Sequence, residues 1–368
     1  MDAPVRVGLI WPPSKNHRSR LSSRAWAANT PFPRRNAVPN IDLHHHIFIP
    51  ETETIASKER EQRPQHADSF EGFFPAESSQ HNQKLFKANW REQLADADRK
   101  RKDMVDDRLD MALVSPSPPH FYYWIGGSAG NDIARMTNDG ISAFCKADPD
   151  HFRGIGNVPL QNGGEPAAAE LERAMGLGLL GCVVSDRVGA QALDEPQFEP
   201  FWAAAERLGA LVMIHPDFAD FRPLFPYYMA NHIGNPLSTT VAATRLILSG
   251  HFERYPGLKV ILSHAGGNLP WAIGRVQHAW NVRPETKVHT PHPPRHYFKN
   301  LYFDVITFNQ SAVRWMVQEV GADHVVCGTD YPYDMMQERV VDYVEGSGLT
   351  AEETEKVLSG NTSKLIGL

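Results

Sequence analysis

Four stretches of this chain place imidazole and carboxylate groups where apolar runs end. In Ile41-Asp42-Leu43-His44-His45-His46 the two-residue period of a β-strand puts Asp42, His44 and His46 on one face and His45 on the other. His44 and His46 can then bind one ion. His215 closes the run Leu211-Val212-Met213-Ile214, Asp330 follows Gly328-Thr329, and His264 follows Leu262-Ser263. Three imidazoles and one carboxylate, from His44, His46, His215 and Asp330, suit a single Zn²⁺ ion and leave room for water. His264 is then the acid–base group, because imidazole titrates near neutral pH; a fifth ligand is its rival role. Taken singly, any of the 17 histidines is more often an ordinary hydrogen-bonded core or surface residue. Their shared position at strand ends changes that reading.

The elements that must hold them are legible from residue 40 onward. Eight apolar, β-rich runs occur at 41–47, 111–117, 152–160, 179–185, 210–216, 259–265, 301–306 and 324–330. Each is continuous rather than alternating, as parallel strands covered on both faces should be. Helical stretches are expected between them, at about 130–147, 166–176, 196–208, 238–255, 269–281, 309–320 and 334–346, with 351–360 closing the chain. Gly178, Gly209, Gly257 and Gly321 stand just before strands, where a helix end asks for positive φ. Thr350 with Glu353 reads as an N-terminal capping box. Eight βα units predict an α/β protein of the (β/α)8, TIM-barrel class, whose active sites lie at the C-terminal strand ends. Residues 48–110 hold more than one helix and predict a small inserted subdomain or lid after strand 1.

Composition excludes several function classes. The 368 residues carry a formal net charge of −6, 42% hydrophobic and 22% charged residues. No broad basic excess would attract nucleic acid, and no apolar run would span a membrane. Cys145, Cys182 and Cys327 are odd in number and far apart, which argues against a disulfide framework. A cytoplasmic enzyme is the expectation. Residues 1–39 are Arg-, Ser- and Pro-rich with Asp2 the only acid, and are expected to be a flexible N-terminal extension. An organelle-targeting segment, a tail wrapping a neighbouring subunit and an upstream start codon explain them as well.

Asp-x-His-x-His at 42–46, Ile214-His215-Pro216, Ser263-His264-Ala265-Gly266-Gly267-Asn268-Leu269-Pro270-Trp271 and Gly328-Thr329-Asp330-Tyr331-Pro332 together resemble the amidohydrolase-related decarboxylases typified by aminocarboxymuconate-semialdehyde decarboxylase. The resemblance covers residues 40–368. It implies zinc or manganese on His44, His46, His215 and Asp330, and a water activated by His264 and the ion. It implies further that Arg275 holds a substrate carboxylate in a neighbouring subunit's pocket, hence a homodimer, although Arg275 reads equally as a surface helix residue. One departure bears on substrate: where the semialdehyde decarboxylase has a carboxylate-binding Arg in the first connection, the nearest stretch here, Lys84-Leu85-Phe86-Lys87, offers lysines.

The stretch after His215 carries Phe221, Arg222, Tyr228 and His232, aromatics and cations suited to a flat anionic ligand. Core packing is an equal reading for some of these rings. The expectation is a metal-dependent non-oxidative decarboxylase of a small aromatic or unsaturated carboxylic acid, with His264 and Asp330 in catalysis. Hydrolysis of a lactone, amide or ester by the same constellation is the alternative. No Lys lies near the end of strand four, where the run reads Val183-Val184-Ser185-Asp186-Arg187, so a single-ion site is expected over a binuclear one.

Overall fold

All eight apolar runs form parallel strands in the computed structural model, which describes residues 39–62, 76–217 and 221–368. The expected N-terminal extension lies outside the described residues. The strands are β1 Ile41–Ile47, β2 Met111–Pro116, β3 Phe152–Gly154 resuming at Gly156–Asn157, β4 Gly181–Val184, β5 Leu211–Ile214, β6 Lys259–Leu262, β7 Leu301–Asp304 and β8 Val325–Val326. Each pairs in parallel with its sequence neighbour from β1 through to β8. The circle closes on backbone hydrogen bonds: Leu43 N donates to Cys327 O, Asp330 N to His44 O and His46 N to Tyr331 O, each at 2.9 Å. This is the (β/α)8 barrel, and closure leaves no strand edge exposed.

Helices fill the connections near their expected places: Gly127–Ala147, Gly164–Gly176, Glu199–Leu208, Asn235–Leu248, Leu269–Val282 and Gln310–Val320. Three boundaries differ. The stretch expected at 238–255 breaks at Gly250, which adopts φ 77°, and restarts over His251–Arg254. Only Val340–Glu345 of the expected 334–346 is helical, because residues 331–339 fold back on the barrel mouth, with Gln337 N donating to Thr329 O at 2.8 Å. The last helix begins with the Thr350 capping box and its turns continue to Ile366. Within the first connection lie helices Glu53–Gln62, Ala76–Leu85, Arg91–Ala95 and Ala97–Asp106. No described helix is long and apolar enough to cross a membrane.

Strand alternation sorts the core into two layers. Met111, Leu113, Val183, Leu211, Met213, Ile261 and Val326 pack together with Ile41 and Leu43, while Ala112, Val114, Val184, Val212, Ile214 and Val260 meet the surrounding helices. β1 breaks this rule. Its register against β2 shifts between Asp42 and His45, and Asp42 Oδ2 accepts from His45 Nδ1 at 2.9 Å. The two residues therefore share a side, contrary to strict alternation. The bulge re-aims His44 and His46 toward the interior already occupied by Ile41 and Leu43.

The helix Ala97–Asp106 carries a fully buried lysine to this place. Lys100 Nζ donates to His46 O at 2.6 Å and lies 4.9 Å from the Tyr331 ring centroid, so one side chain ties β1 to the segment after β8. Burial pushes its ammonium down to about 7, against the pull of Asp42 and Asp103. A lysine whose folded pKa is depressed destabilises the fold while protonated, and that penalty fades as pH rises toward the unfolded pKa. Lys100→Met should therefore gain most in melting temperature over wild type near pH 6, with the advantage shrinking by about pH 9. Thermal melts of both proteins across this range test it; a difference independent of pH would mean that Lys100 keeps its proton throughout.

Candidate active site

Parallel strands present all their C-terminal ends at one mouth of the barrel, and this places the expected residues together. His44 and His46 lie on β1, His215 directly follows β5, His264 lies two residues beyond β6, and Asp330 ends the segment after β8. His264 (φ 55°), Ala265 (φ 58°) and Asp330 (φ 65°) adopt the left-handed region, each at a cost of roughly 1–3 kcal/mol for a residue with a Cβ. Backbone hydrogen bonds hold them there. Asp330 N donates to His44 O, and the amides of His264 and Ala265 donate to the two carboxylate oxygens of Asp304 at 2.9 and 2.7 Å.

The imidazoles converge on the Asp330 carboxylate. Oδ1 lies 2.9 Å from His46 Nε2, 3.4 Å from His44 Nε2 and 3.7 Å from His215 Nε2; Oδ2 lies 3.5 Å from His264 Nε2. One donor atom from each of His44, His215, His264 and Asp330 falls within 4.8 Å of the others, and His46 Nε2 is 3.3 Å from His44 Nε2.

The donor chemistry of this set fits a cation. His215 Nδ1 lies 2.8 Å from the Pro216 carbonyl, so it carries the proton and leaves a lone pair on Nε2. That Nε2 is buried without a hydrogen-bond partner, facing a carboxylate that can donate nothing. His44 is fixed in the same sense, with Nδ1 2.8 Å from Asp304 Oδ2 and Nε2 aimed at the cluster. Lone pairs and a carboxylate pointed at one spot in a buried place are stable only around positive charge.

Without an ion, protons take that role. Burial disfavours the His44 imidazolium, yet Asp330 and Asp304 outweigh it and lift the ring to about 10. Burial and the neighbouring imidazoles push His215 down to about 3 against the pull of Asp330, and burial lowers His46. Burial also works against the Asp330 carboxylate, but His44 and bonds from the surrounding rings hold it well below the usual range.

Beside the cluster is a cavity of about 470 Å³ with aromatic walls from Phe86, Trp90, Trp124, Tyr228 and Tyr333. A second cavity of about 320 Å³ shares His264, Asp330, Asn231, Asn235 and Met335 with it and extends to His232 and Phe308. Tyr228 thus lines the main cavity and His232 the second. Phe221 is half exposed and lines neither, and Arg275 is exposed on the helix Leu269–Val282. The side chain of Arg222 lies outside the described residues. Asp42, grouped with the β1 histidines by alternation, instead accepts from the backbone of His44 and Thr329 and from Thr329 Oγ1.

Four residues not singled out from sequence matter here. Asp304 is the last residue of β7, and the strand-end rule that selected His215 applies to it equally. Arg60 reaches the main cavity from the helix Glu53–Gln62, its guanidinium bonded to both Glu53 oxygens at 2.7 and 3.2 Å. His120 lines the same cavity, stacked on Phe48 with ring centroids 4.2 Å apart and 2.6 Å from Ser117 Oγ; burial, Arg60 and His46 push it down to about 3. Lys100 is the fourth. No sequence signal distinguishes the last three from surface residues of the connections that follow β1 and β2.

The amidohydrolase family model matches residues 41–368. Among curated relatives, the 2-amino-3-carboxymuconate-6-semialdehyde decarboxylase of Dictyostelium discoideum is 32% identical over 277 residues, covering 74% of this chain and 77% of its own. The gamma-resorcylate decarboxylase of Polaromonas is 28% identical over 300 residues, 76% of this chain and 90% of its own. Among solved structures, a Polaromonas dihydroxybenzoic acid decarboxylase with bound manganese and 2-nitroresorcinol superposes with a TM-score of 0.72 at 26% identity, covering 90% of this chain and 97% of that one. With the match running from the first barrel strand to the final residue, the chain belongs to the amidohydrolase family.

Proposed function

We propose that this chain is a metal-dependent, non-oxidative decarboxylase of a small aromatic carboxylic acid. The observation that carries the reading is the buried, unpartnered Nε2 of His215 facing Asp330 among three further imidazoles, in a chain whose similar proteins are decarboxylases. His44, His46, His215 and Asp330 would hold one divalent ion. A bound ion supplies Lewis acidity toward a carboxylate or phenolate oxygen and lowers the pKa of water. The nitrogen-rich donor set suits Zn²⁺; the manganese bound by the similar dihydroxybenzoic acid decarboxylase supports Mn²⁺.

Decarboxylation replaces the bond from a ring carbon to CO₂⁻ with a bond to hydrogen. That carbon must take a proton as CO₂ leaves. His264 Nε2 and Asp330 Oδ2, 3.5 Å apart at the cavity floor, are placed to hold and pass it. The aromatic walls accommodate the ring and exclude water from it. Helices of the first connection supply one side of this cavity through Arg60, Phe86, Lys87 and Trp90, consistent with a lid.

We place Arg275 in a partner's site. It is exposed, with no hydrogen bond or ion pair among the described residues, and sits one turn from Trp271, which is 78% exposed. Along the adjacent helix Asn235–Leu248 and the helical turn Ala230–Gly234 that leads into it, Ile233, Leu237 and Val241 form an exposed apolar stripe at helical spacing. A homodimer would cover both. A cytoplasmic location accords with three cysteines that remain free thiols.

The direct test is CO₂ release from gamma-resorcylate, other hydroxybenzoates and muconate-type acids, beside lactones and amides, using chelated and Zn²⁺- or Mn²⁺-reconstituted protein. Metal-dependent CO₂ is expected; metal-dependent ring opening or amide cleavage without CO₂ would replace this reading with hydrolysis. His215→Ala and Asp330→Ala should lose both metal and activity. His264→Ala should keep its metal while losing roughly 10²–10⁴-fold in rate, and equal metal loss in all three would make His264 a ligand. Mixing inactive Arg275→Ala with inactive His264→Ala subunits should restore up to about a quarter of wild-type activity, since each mixed dimer regains one intact site. No recovery after confirmed subunit exchange would remove Arg275 from the partner's site.

A further inference from the structure

Asp304 lines neither cavity, yet four groups converge on its buried carboxylate. Oδ2 lies 2.8 Å from His44 Nδ1 and accepts from His264 N at 2.9 Å. Oδ1 accepts from Ala265 N at 2.7 Å and Ile306 N at 3.1 Å. The first bond makes His44 Nδ1 the protonated nitrogen and presents Nε2 to the ion site. The next two hold the peptide at His264 and Ala265 in left-handed geometry, with φ of 55° and 58°, and this geometry aims the His264 ring at Asp330. An extended backbone at His264 would direct the ring elsewhere.

We propose that Asp304 is a positioning residue that couples cation binding to acid–base catalysis, one carboxylate setting both the ligand face of His44 and the backbone that aims His264. The inference rests on the ion site and acid–base role assigned above. No neutral isostere can serve both functions. An asparagine at 304 keeps one acceptor oxygen but turns an NH₂ group toward the other pair of donors, which either orphans the Ala265 and Ile306 amides or orphans the His264 amide and forces His44 to orphan its Nδ1–H or switch tautomer.

The test uses full-length Asp304→Asn, with its fold checked by circular dichroism. Calorimetry should find Mn²⁺ bound about 10–100-fold more weakly than by wild type. At saturating Mn²⁺, kcat for the best acid of the panel should remain at least about tenfold low with KM little changed, as for a displaced acid–base group. A folded variant with either normal Mn²⁺ affinity or normal kcat overturns the coupling. Glycine tolerates positive φ without strain, so Asp304→Asn with Ala265→Gly should recover part of kcat and none of the Mn²⁺ affinity. Recovery of both, or of neither, also overturns it.

If the variants do not fold, wild type still decides the matter: hydrogen–deuterium exchange over residues 303–308, which include the Ile306 amide bonded to Asp304, should slow on adding Mn²⁺. Unchanged exchange contradicts the proposal. Affinity and exchange do not depend on which acid is turned over, so they separate failure of this inference from failure of the decarboxylase reading.

Discussion

Closure of β8 onto β1 is the constraint from which the site follows. The three backbone bonds of that seam join Leu43, His44 and His46 to Cys327, Asp330 and Tyr331, so the main chain that completes the barrel also sets the distance from the β1 imidazoles to Asp330. A site of this kind is built at the level of peptide groups, and its side chains inherit their spacing. The left-handed backbone at Asp330 and His264 is tolerated because the surrounding hydrogen bonds leave no relaxed alternative. Lys100 meets the seam from outside, bonding the His46 carbonyl under the Tyr331 ring.

Much of this was legible in sequence because parallel barrel strands are apolar on both faces, so eight runs could be counted without resolving their alternation. The strand-end rule then brought His44, His46, His215, His264 and Asp330 together, although their pairwise separations reach hundreds of residues. What failed has local causes. Strict alternation put Asp42 with the histidines because a bulge leaves no mark in Asp42-Leu43-His44. The helix expected over 334–346 has suitable composition, but residues 331–339 satisfy their backbone on the barrel mouth instead. Asp304 obeys the same rule, but a lone Asp in an apolar run has no companion motif to mark it. Arg60 and His120 depend on how the first connections fold over the mouth, and nothing periodic records that.

The donor cluster and one wall of the cavity come from different parts of the chain. The groups able to hold an ion and a proton sit on barrel strand ends, whereas Arg60, Phe86, Lys87 and Trp90 reach the cavity from helices between β1 and β2. The Arg60 guanidinium arrives already bonded to Glu53, so that wall presents directed donors with much of its charge balanced. The long first connection can therefore reshape the cavity without disturbing the strands that carry His44 and Asp330.

The register shift within β1 divides this short strand into two segments of opposite phase. Ahead of it, Ile41 and Leu43 answer to the packing of the barrel interior; beyond it, His44 and His46 answer to the geometry of the donor cluster. A single-residue insertion or deletion at the junction would exchange the surroundings of one segment and leave the other in place. Substitutions in the two halves of β1 consequently obey different rules, core volume in the first and donor identity in the second, although the halves adjoin at Leu43 and His44.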